Sequence, residues 1–278
     1  ISGYVTVPDN HKPGEKHPAF IVLHGFGSNK NAGGVKVLCE GFAKMGYVTL
    51  GFDMRGCGDS EGEKGRIICL DQVEDTKSAV TYMQSRSDVD PQRIGLIGSS
   101  FGAAVSVYTA GVDKRVACAV SSGGWGDGER KFKGQHPGEA WKKFTDMLAE
   151  GKRVRETTGK SLMVPRYDIV PIPPELRGHV VEGSIQMFPA ETAQSMYDFR
   201  ADDVVGQIAP RPLLLLHSSV DSVTPTEQSI EMFKRAGQPT DLHLFAETDH
   251  FMFAEDNFRV HSVVNDWLAK YFSATVSK

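Results

Sequence analysis

Short apolar runs alternate with amphipathic stretches along this chain, and the two follow different periods. Gly3 to Asp9 (GYVTVPD) reads as a strand, followed by the polar turn NHKPGEKH. PAFIVLHG is an almost unbroken apolar run, as a strand shows when both of its faces are covered. NAGGVKVLCEGFAKMGY then sets Leu38, Phe42 and Met45 at helical spacing, and YVTLGFD supplies the next buried strand. CLDQVEDTKSAVTYMQSR places Val73, Val80 and Met83 on one helical face. RIGLIG, FGAAVSVYTAG and VACAVSS continue as strand, helix and strand. Such alternation calls for parallel βαβ units, hence a doubly wound, mostly parallel α/β sheet with helices on both faces.

The pattern breaks after Gly124. PGEAWKKFTDMLAEG predicts an amphipathic helix with Trp141, Phe144 and Leu148 inward and Gly151 ending it. VPRYDIVPIPPEL carries four prolines, which exclude a central strand or helix. AETAQSMYDF predicts a second short helix. A structureless loop of this length is improbable in a compact domain, so residues 125–203 read as an inserted cap. The α/β pattern resumes with the strand RPLLLLHS, a helix opened by Pro225 and the strand TDLHLFA. DNFRVHSVVNDWLAKYF closes the chain with Val260, Val263, Val264, Trp267 and Tyr271 along one face. The expected organisation is a core of residues 1–124 and 204–278 with the cap between them. No internal repeat or low-complexity tract interrupts it.

Composition narrows the function. A chain of 278 residues with 24% charged and 40% hydrophobic positions is ordinary for a globular protein. Its net charge of −4, without a block of one sign, argues against nucleic acid and against a basic membrane-binding surface. No apolar run approaches the roughly 20 residues that span a bilayer. No signal peptide precedes the first strand, so a cytoplasmic location is expected, although a chain beginning at Ile1 leaves secretion open. Cys39, Cys57, Cys69 and Cys118 lie far apart with no C-x-x-C, so reduced thiols are expected rather than a zinc site. No cofactor motif is present, and composition says nothing about oligomeric state.

Open α/β sheets bind ligands at the carboxyl ends of their strands, so the residues that follow each strand carry the chemistry. HGFG (His24 to Gly27) follows PAFIVL, GSSFG follows RIGLI, Asp221 in SVDSVTP follows PLLLLHS, and His250 in ETDHFMF follows DLHLF. A lone G-x-S-x-G is a weak signal. Four strand ends that deliver a glycine-rich turn, a serine, an acid and a histidine, with the last three in that chain order, are a much stronger one.

On these residues the chain resembles the α/β-hydrolase superfamily, over almost its whole length outside the cap. FDMRGCGDSEG (Phe52 to Gly62) is similar to the family's D-x-R-G-x-G-x-S turn, and DPQRIGLIG to the approach to its nucleophile. A cap between the family's sixth and seventh strands most resembles carboxylesterases of the cinnamoyl/feruloyl type, and also dienelactone-hydrolase-like and prolyl-oligopeptidase-like proteins. Two departures stand out. The elbow reads G-S-S-F-G-A where cinnamoyl esterases usually have G-H-S-Q-G-G, and the chain begins at the family's second strand.

The resemblance implies a serine esterase of the EC 3.1.1 type that cleaves a small-molecule ester through an acyl-enzyme. Glycine spacing selects Ser100 over Ser99 as the nucleophile. His250 would take its proton and Asp221 would orient the imidazole. The N–H groups of Phe26 and Phe101 would form the oxyanion hole, helped by the positive end of the helix that opens near Phe101. Trp125 and Trp141 are candidate pocket residues, with packing as the alternative reading. His24 is expected to brace its loop, and Asp53 and Arg55 to organise the turn after their strand. Asp202 and Asp203 precede their strand, while His243 and His261 lie inside regular elements, so all four read as structural. The same triad would serve a peptidase, thioesterase, C–C bond hydrolase or acyltransferase. A non-catalytic ligand sensor is the alternative from another class. Ser100 stands where epoxide hydrolases and haloalkane dehalogenases carry Asp, which argues against those activities.

Overall fold

The computed structural model describes residues 1–253 and 257–277. The chain forms β1 (Gly3–Thr6), β2 (His17–Leu23), α1 (Gly33–Met45), β3 (Val48–Phe52), α2 (Cys69–Gln84), β4 (Val89–Ser99), α3 (Phe101–Val112) and β5 (Val116–Ser122). An intervening segment carries α4 (Gly128–Gln135), α5 (Glu139–Thr158), β6 (Met163–Pro165), α6 (Arg166–Ile169), β7 (Met187–Pro189) and α7 (Ala190–Asp198). The core pattern then returns as β8 (Leu213–Ser218), α8 (Glu227–Arg235), β9 (Thr240–Phe245) and α9 (Phe258–Tyr271). The sequence places the start of the last helix at Asp256 and the end of the core at Lys278, and both positions lie outside the described residues.

Seven strands join in the order β1-β3-β2-β4-β5-β8-β9, all parallel except β1, which pairs antiparallel with β3. The unbroken apolar runs have a physical reason. In β2, Ala19, Ile21 and Leu23 enter one core cluster while Phe20 and Val22 enter the other. In β8, Leu213 and Leu215 divide from Leu214 and Leu216 in the same way. The period of two persists, but helices cover both faces, so no polar position is left to reveal it. Val73, Val80 and Met83 of α2 and Val105 of α3 pack on one face. Leu38 and Phe42 of α1, with Val260, Val264 and Trp267 of α9, pack on the other. Met45, which the helical spacing counted with Leu38 and Phe42, is exposed at the end of α1.

Two details of the intervening segment differ from expectation. α5 does not end at Gly151 but runs to Thr158 and stops at Gly159, whose φ of 69° provides the left-handed cap. Gly151 is instead a contact glycine, since a Cβ there would lie 2.4 Å from Cβ of Ala190 in α7. The proline-rich stretch, read as excluding a helix, holds the single turn α6 (Arg166–Ile169) in the proline-free interval between Pro165 and Pro171, directly after β6, which pairs antiparallel with β7 outside the central sheet.

The order of strands reverses between β2 and β4, the place in an open α/β sheet where ligands generally bind at the carboxyl ends of the strands. The elbow after β4 presses against the end of β2. A Cβ on Gly102 would lie 2.4 Å from the Leu23 carbonyl oxygen and 2.6 Å from that of His24. Because both obstacles are backbone, Gly102→Ala is expected to cost at least about 3 kcal/mol in urea unfolding. A variant within about 0.5 kcal/mol of wild type would show that the elbow does not need this close approach.

Candidate active site

Ser100 sits between β4 and α3 at φ 55°, ψ −113°, a conformation that L residues rarely adopt. Its N–H donates to the Ser122 carbonyl at 2.8 Å, and its own carbonyl accepts from Ala103 and Ala104, so the turn is held on both sides. Gly98 permits it, because a Cβ there would lie 2.2 Å from the Gly102 carbonyl oxygen. Phe101 is the first residue of α3, so its N–H has no intrahelical acceptor.

His250 and Asp221 arrive on the loops after β9 and β8. The imidazole Nδ1 lies 2.8 Å from Asp221 Oδ2 and 3.1 Å from Oδ1. A carboxylate accepts, so Nδ1 carries a proton, and in the neutral ring the lone pair is then on Nε2. The Asp221 side chain is fully buried. Its Oδ1 also accepts from the N–H groups of Val223 (2.8 Å) and Thr224 (2.6 Å). His217 Nε2 lies 3.3 Å from Oδ2 and 2.9 Å from the Thr224 carbonyl, both acceptors, so that nitrogen also bears a proton. Burial alone would raise the Asp221 carboxyl. Attraction to His250 and hydrogen bonds from His217 and His250 outweigh it and hold the group well below the usual carboxylate range. Gly123 closes this region from below, where a Cβ would lie 3.3 Å from the imidazole.

The histidine and acid loops are stapled together. Asp249 accepts from the N–H (2.9 Å) and hydroxyl (2.8 Å) of Ser222, and from the His250 N–H at 2.7 Å. His217 and Asp249 are polar residues that the sequence reading did not single out. Their proximity to Asp221 and His250 in the chain was the available signal.

Ser100 and His250 line one cavity of about 120 Å³ together with His24, Gly25, Phe26 and Ser99. Its apolar wall includes Leu38, Val170, Ile172, Val180, Met252 and Phe253. His24 does brace its loop: Nε2 accepts the Met54 N–H at 3.1 Å, and Nδ1 therefore donates to the Gly25 carbonyl at 2.8 Å. Burial lowers its pKa, in keeping with a neutral ring. Asp53 is tied to Lys30 and to the Asp59 N–H, and Arg55 to Asp75 on α2. Both hold the turn after β3.

Trp125 and Trp141 do not line the cavity among the described residues. Trp125 is buried against Phe101, Phe199 and the Lys131 ammonium, and Trp141 is half-buried beside Phe144 and Tyr197. Asp202 pairs with Arg130 and Arg235, away from His250. His243 and His261 lie in β9 and α9. All four cysteines are buried free thiols, and burial raises each of them. His11, Glu15 and His17 could together hold a metal ion, with ligand atoms within 4.8 Å of one another, at the amino end of β2 and remote from the cavity. Among the described residues no helix is long and apolar enough to cross a membrane.

The family described as Serine aminopeptidase, S33, matches residues 14–257. The chain belongs to this α/β-hydrolase family. It is 28% identical over 267 residues to the Escherichia coli "Uncharacterized 31.7 kDa protein in traX-finO intergenic region", covering 92% of each chain. It is 25% identical over 251 residues to the "Polyketide transferase grgF" of Penicillium sp., covering 85% of this chain and 82% of that one. The crystal structure of the α/β hydrolase GrgF from Penicillium sp. sh18 superposes with a TM-score of 0.78 at 22% identity, over 97% of this chain and 98% of that one. Est1E from Butyrivibrio proteoclasticus, solved with ferulic acid bound, superposes at 0.68 with 17% identity, over 97% and 94%.

Proposed function

We propose that the chain hydrolyses carboxylic esters through an acyl-enzyme on Ser100, beneath a cap formed by residues 125–203. The observation that carries this reading is the meeting, at one cavity, of a conformationally strained serine and an imidazole whose Nδ1–H is held by a buried carboxylate. Ser100 Oγ attacks the ester carbonyl carbon and its proton passes to His250 Nε2. The carbonyl oxygen becomes an oxyanion held by the N–H groups of Phe26 and Phe101. Collapse expels the alkoxide, which takes the proton from His250 and leaves as the alcohol. Water then attacks the acyl-enzyme by the same route, releases the acid and restores Ser100. Asp221 holds the imidazole in the required tautomer and stabilises it when charged.

The apolar cavity wall suits an apolar acyl group, and the positive charge of Arg166 in that wall opposes an α-ammonium group, which favours esters over aminoacyl amides. The similarity to a relative named as a polyketide transferase supports a second reading, in which an acceptor other than water takes the acyl group. A panel of 4-nitrophenyl esters of increasing acyl length and aminoacyl 4-nitroanilides tests the proposal, with added alcohols to intercept the acyl-enzyme. Esters are expected to exceed anilides in kcat/KM by at least about 100-fold, and a fluorophosphonate to label the protein. Preferential anilide cleavage, or no labelling, would overturn the ester reading. Products formed mainly with the added alcohol would favour the transferase.

A further inference from the structure

We propose that Arg166 is a positioning residue that aims the Phe26 N–H, so that the oxyanion hole is complete only when residues 125–203 are docked. This rests on the nucleophile reading of Ser100 and extends it to a residue from another part of the chain.

Phe26 stands between Gly25 and Gly27, and Gly27 adopts φ 53°. Two flanking glycines leave the peptide planes around Phe26 with few local steric limits, so beyond the turn closed by the Ser28 N–H on the Gly25 carbonyl at 3.2 Å its geometry depends on contacts from outside the loop. On the amino side the contact comes from the core, where His24 Nδ1 donates to the Gly25 carbonyl. On the other side the hydrogen bonds to the Phe26 and Gly27 carbonyls come from the intervening segment, while the Phe26 ring also lies beside Phe101 of the core, with centroids 6.2 Å apart. Both terminal nitrogens of Arg166 donate to the Phe26 carbonyl at 2.8 Å. The Ile185 N–H donates to the Gly27 carbonyl at 2.9 Å. Phe188 stacks on the Phe26 ring with centroids 4.3 Å apart. Fixing the carbonyl of Phe26 together with its ring fixes ψ and the place of its nitrogen, while the Gly25 carbonyl, which shares a peptide plane with the Phe26 N–H, is held by His24 Nδ1 and the Ser28 N–H, so the two sets of contacts together set where the N–H points.

The cost of this arrangement argues for a purpose. Arg166 is 3% exposed and has no carboxylate partner among the described residues. Burying an unpaired cation is expensive. The offsets here are two backbone carbonyls, of Phe26 and Ile185, and the faces of Phe26 and Phe188 at 5.3 and 5.6 Å. Core packing alone would be met at lower cost by an apolar side chain. The planar guanidinium fork instead brings two terminal nitrogens to bear on one carbonyl oxygen while its Nε donates to a second, that of Ile185. Arg166 is itself set by the small sheet of the segment: it follows β6, and its N–H donates to the Gln186 carbonyl at 2.8 Å.

The test compares Arg166→Gln, Arg166→Lys and wild type on a 4-nitrophenyl ester and on a trifluoromethyl ketone, which adds reversibly to the serine and places its oxyanion in the hole. Arg166→Gln is expected to lower kcat about 30- to 100-fold with KM within about threefold, and to weaken the ketone in parallel with kcat/KM. Arg166→Lys, which keeps the charge and one donor, is expected to recover part of the loss, and millimolar guanidinium to restore part of the Arg166→Gln activity. Asn29→Ala removes a separate tie between core and segment, the bond to the Glu182 carbonyl at 3.2 Å, and controls for loosened docking. An unchanged kcat, a rise in KM alone, or equal effects of Arg166→Gln and Asn29→Ala would overturn the proposal. Failure of the nucleophile reading shows separately, as a wild-type protein that neither turns over the ester nor reacts with a fluorophosphonate.

Discussion

Ser100→Ala is expected to lower kcat on a 4-nitrophenyl ester by about 10⁴- to 10⁶-fold, leaving only what binding and the oxyanion donors provide without a nucleophile. The same variant should lose all fluorophosphonate labelling, because Ser99 is held in the β4–β5 pairing opposite Ser122 and does not occupy the elbow. A second substitution at this position separates chemistry from strain. Ser100 adopts a positive φ that costs a residue with a Cβ on the order of 1 kcal/mol. Ser100→Gly should therefore be as inactive as Ser100→Ala but more stable than it by about 1 kcal/mol in urea unfolding. Labelling of the alanine variant at the wild-type rate would move the nucleophile elsewhere. Equal stabilities of the two variants would show that the elbow is not strained.

Asp221→Asn is expected to cost about 10⁴-fold in kcat. The carboxylate accepts from the imidazole Nδ1–H and from the Val223 and Thr224 N–H groups, with His217 Nε2–H beside it. An amide accepts at one atom only, so its NH₂ must face a donor or turn the imidazole to the wrong tautomer. Stability should change with a defined sign. The folded-state pKa of Asp221 lies below its unfolded value, so its ionised form contributes stability above the unfolded carboxylate range of about 4. That contribution is lost as pH falls through and below this range. The stability advantage of wild type over Asp221→Asn, read from urea melts, should thus be constant from pH 7 to about pH 5 and shrink below about pH 4. An advantage that grows on acidification would contradict the assigned ionisation.

Much of the fold was legible because the strands of a sheet covered on both faces read as apolar runs, and the helices between them keep their 3.6-residue stripe. β2, β3 and β8 could be read in this way, as could the Leu38–Phe42 and Val260–Val264–Trp267 faces. The ends of elements were less legible. Gly151 carries the signature of a helix stop, yet α5 passes through it, and the glycine instead leaves room for Ala190, a contact with α7 that is invisible in local sequence. Trp125 and Trp141 illustrate the same limit. Their size and position suggested a pocket, but burial against Phe101 and Phe144 places them elsewhere. Arg166 lies in a proline-rich stretch with no periodicity, so nothing local distinguished it from a solvated charge.

The sequence alone determined the alternation of strands and helices, the α/β class and the order in which Ser100, Asp221 and His250 follow their strands. These are properties of neighbouring residues: periodicity, glycine spacing and strand termini act over a few positions of chain. Tertiary structure alone decided which face each helix covers, that His217 and Asp249 attend Asp221 and His250, and that the Phe26 carbonyl is held by a guanidinium 140 residues away. Those choices depend on how separate elements are brought together, and on the burial and charge interactions created there, which no local pattern encodes.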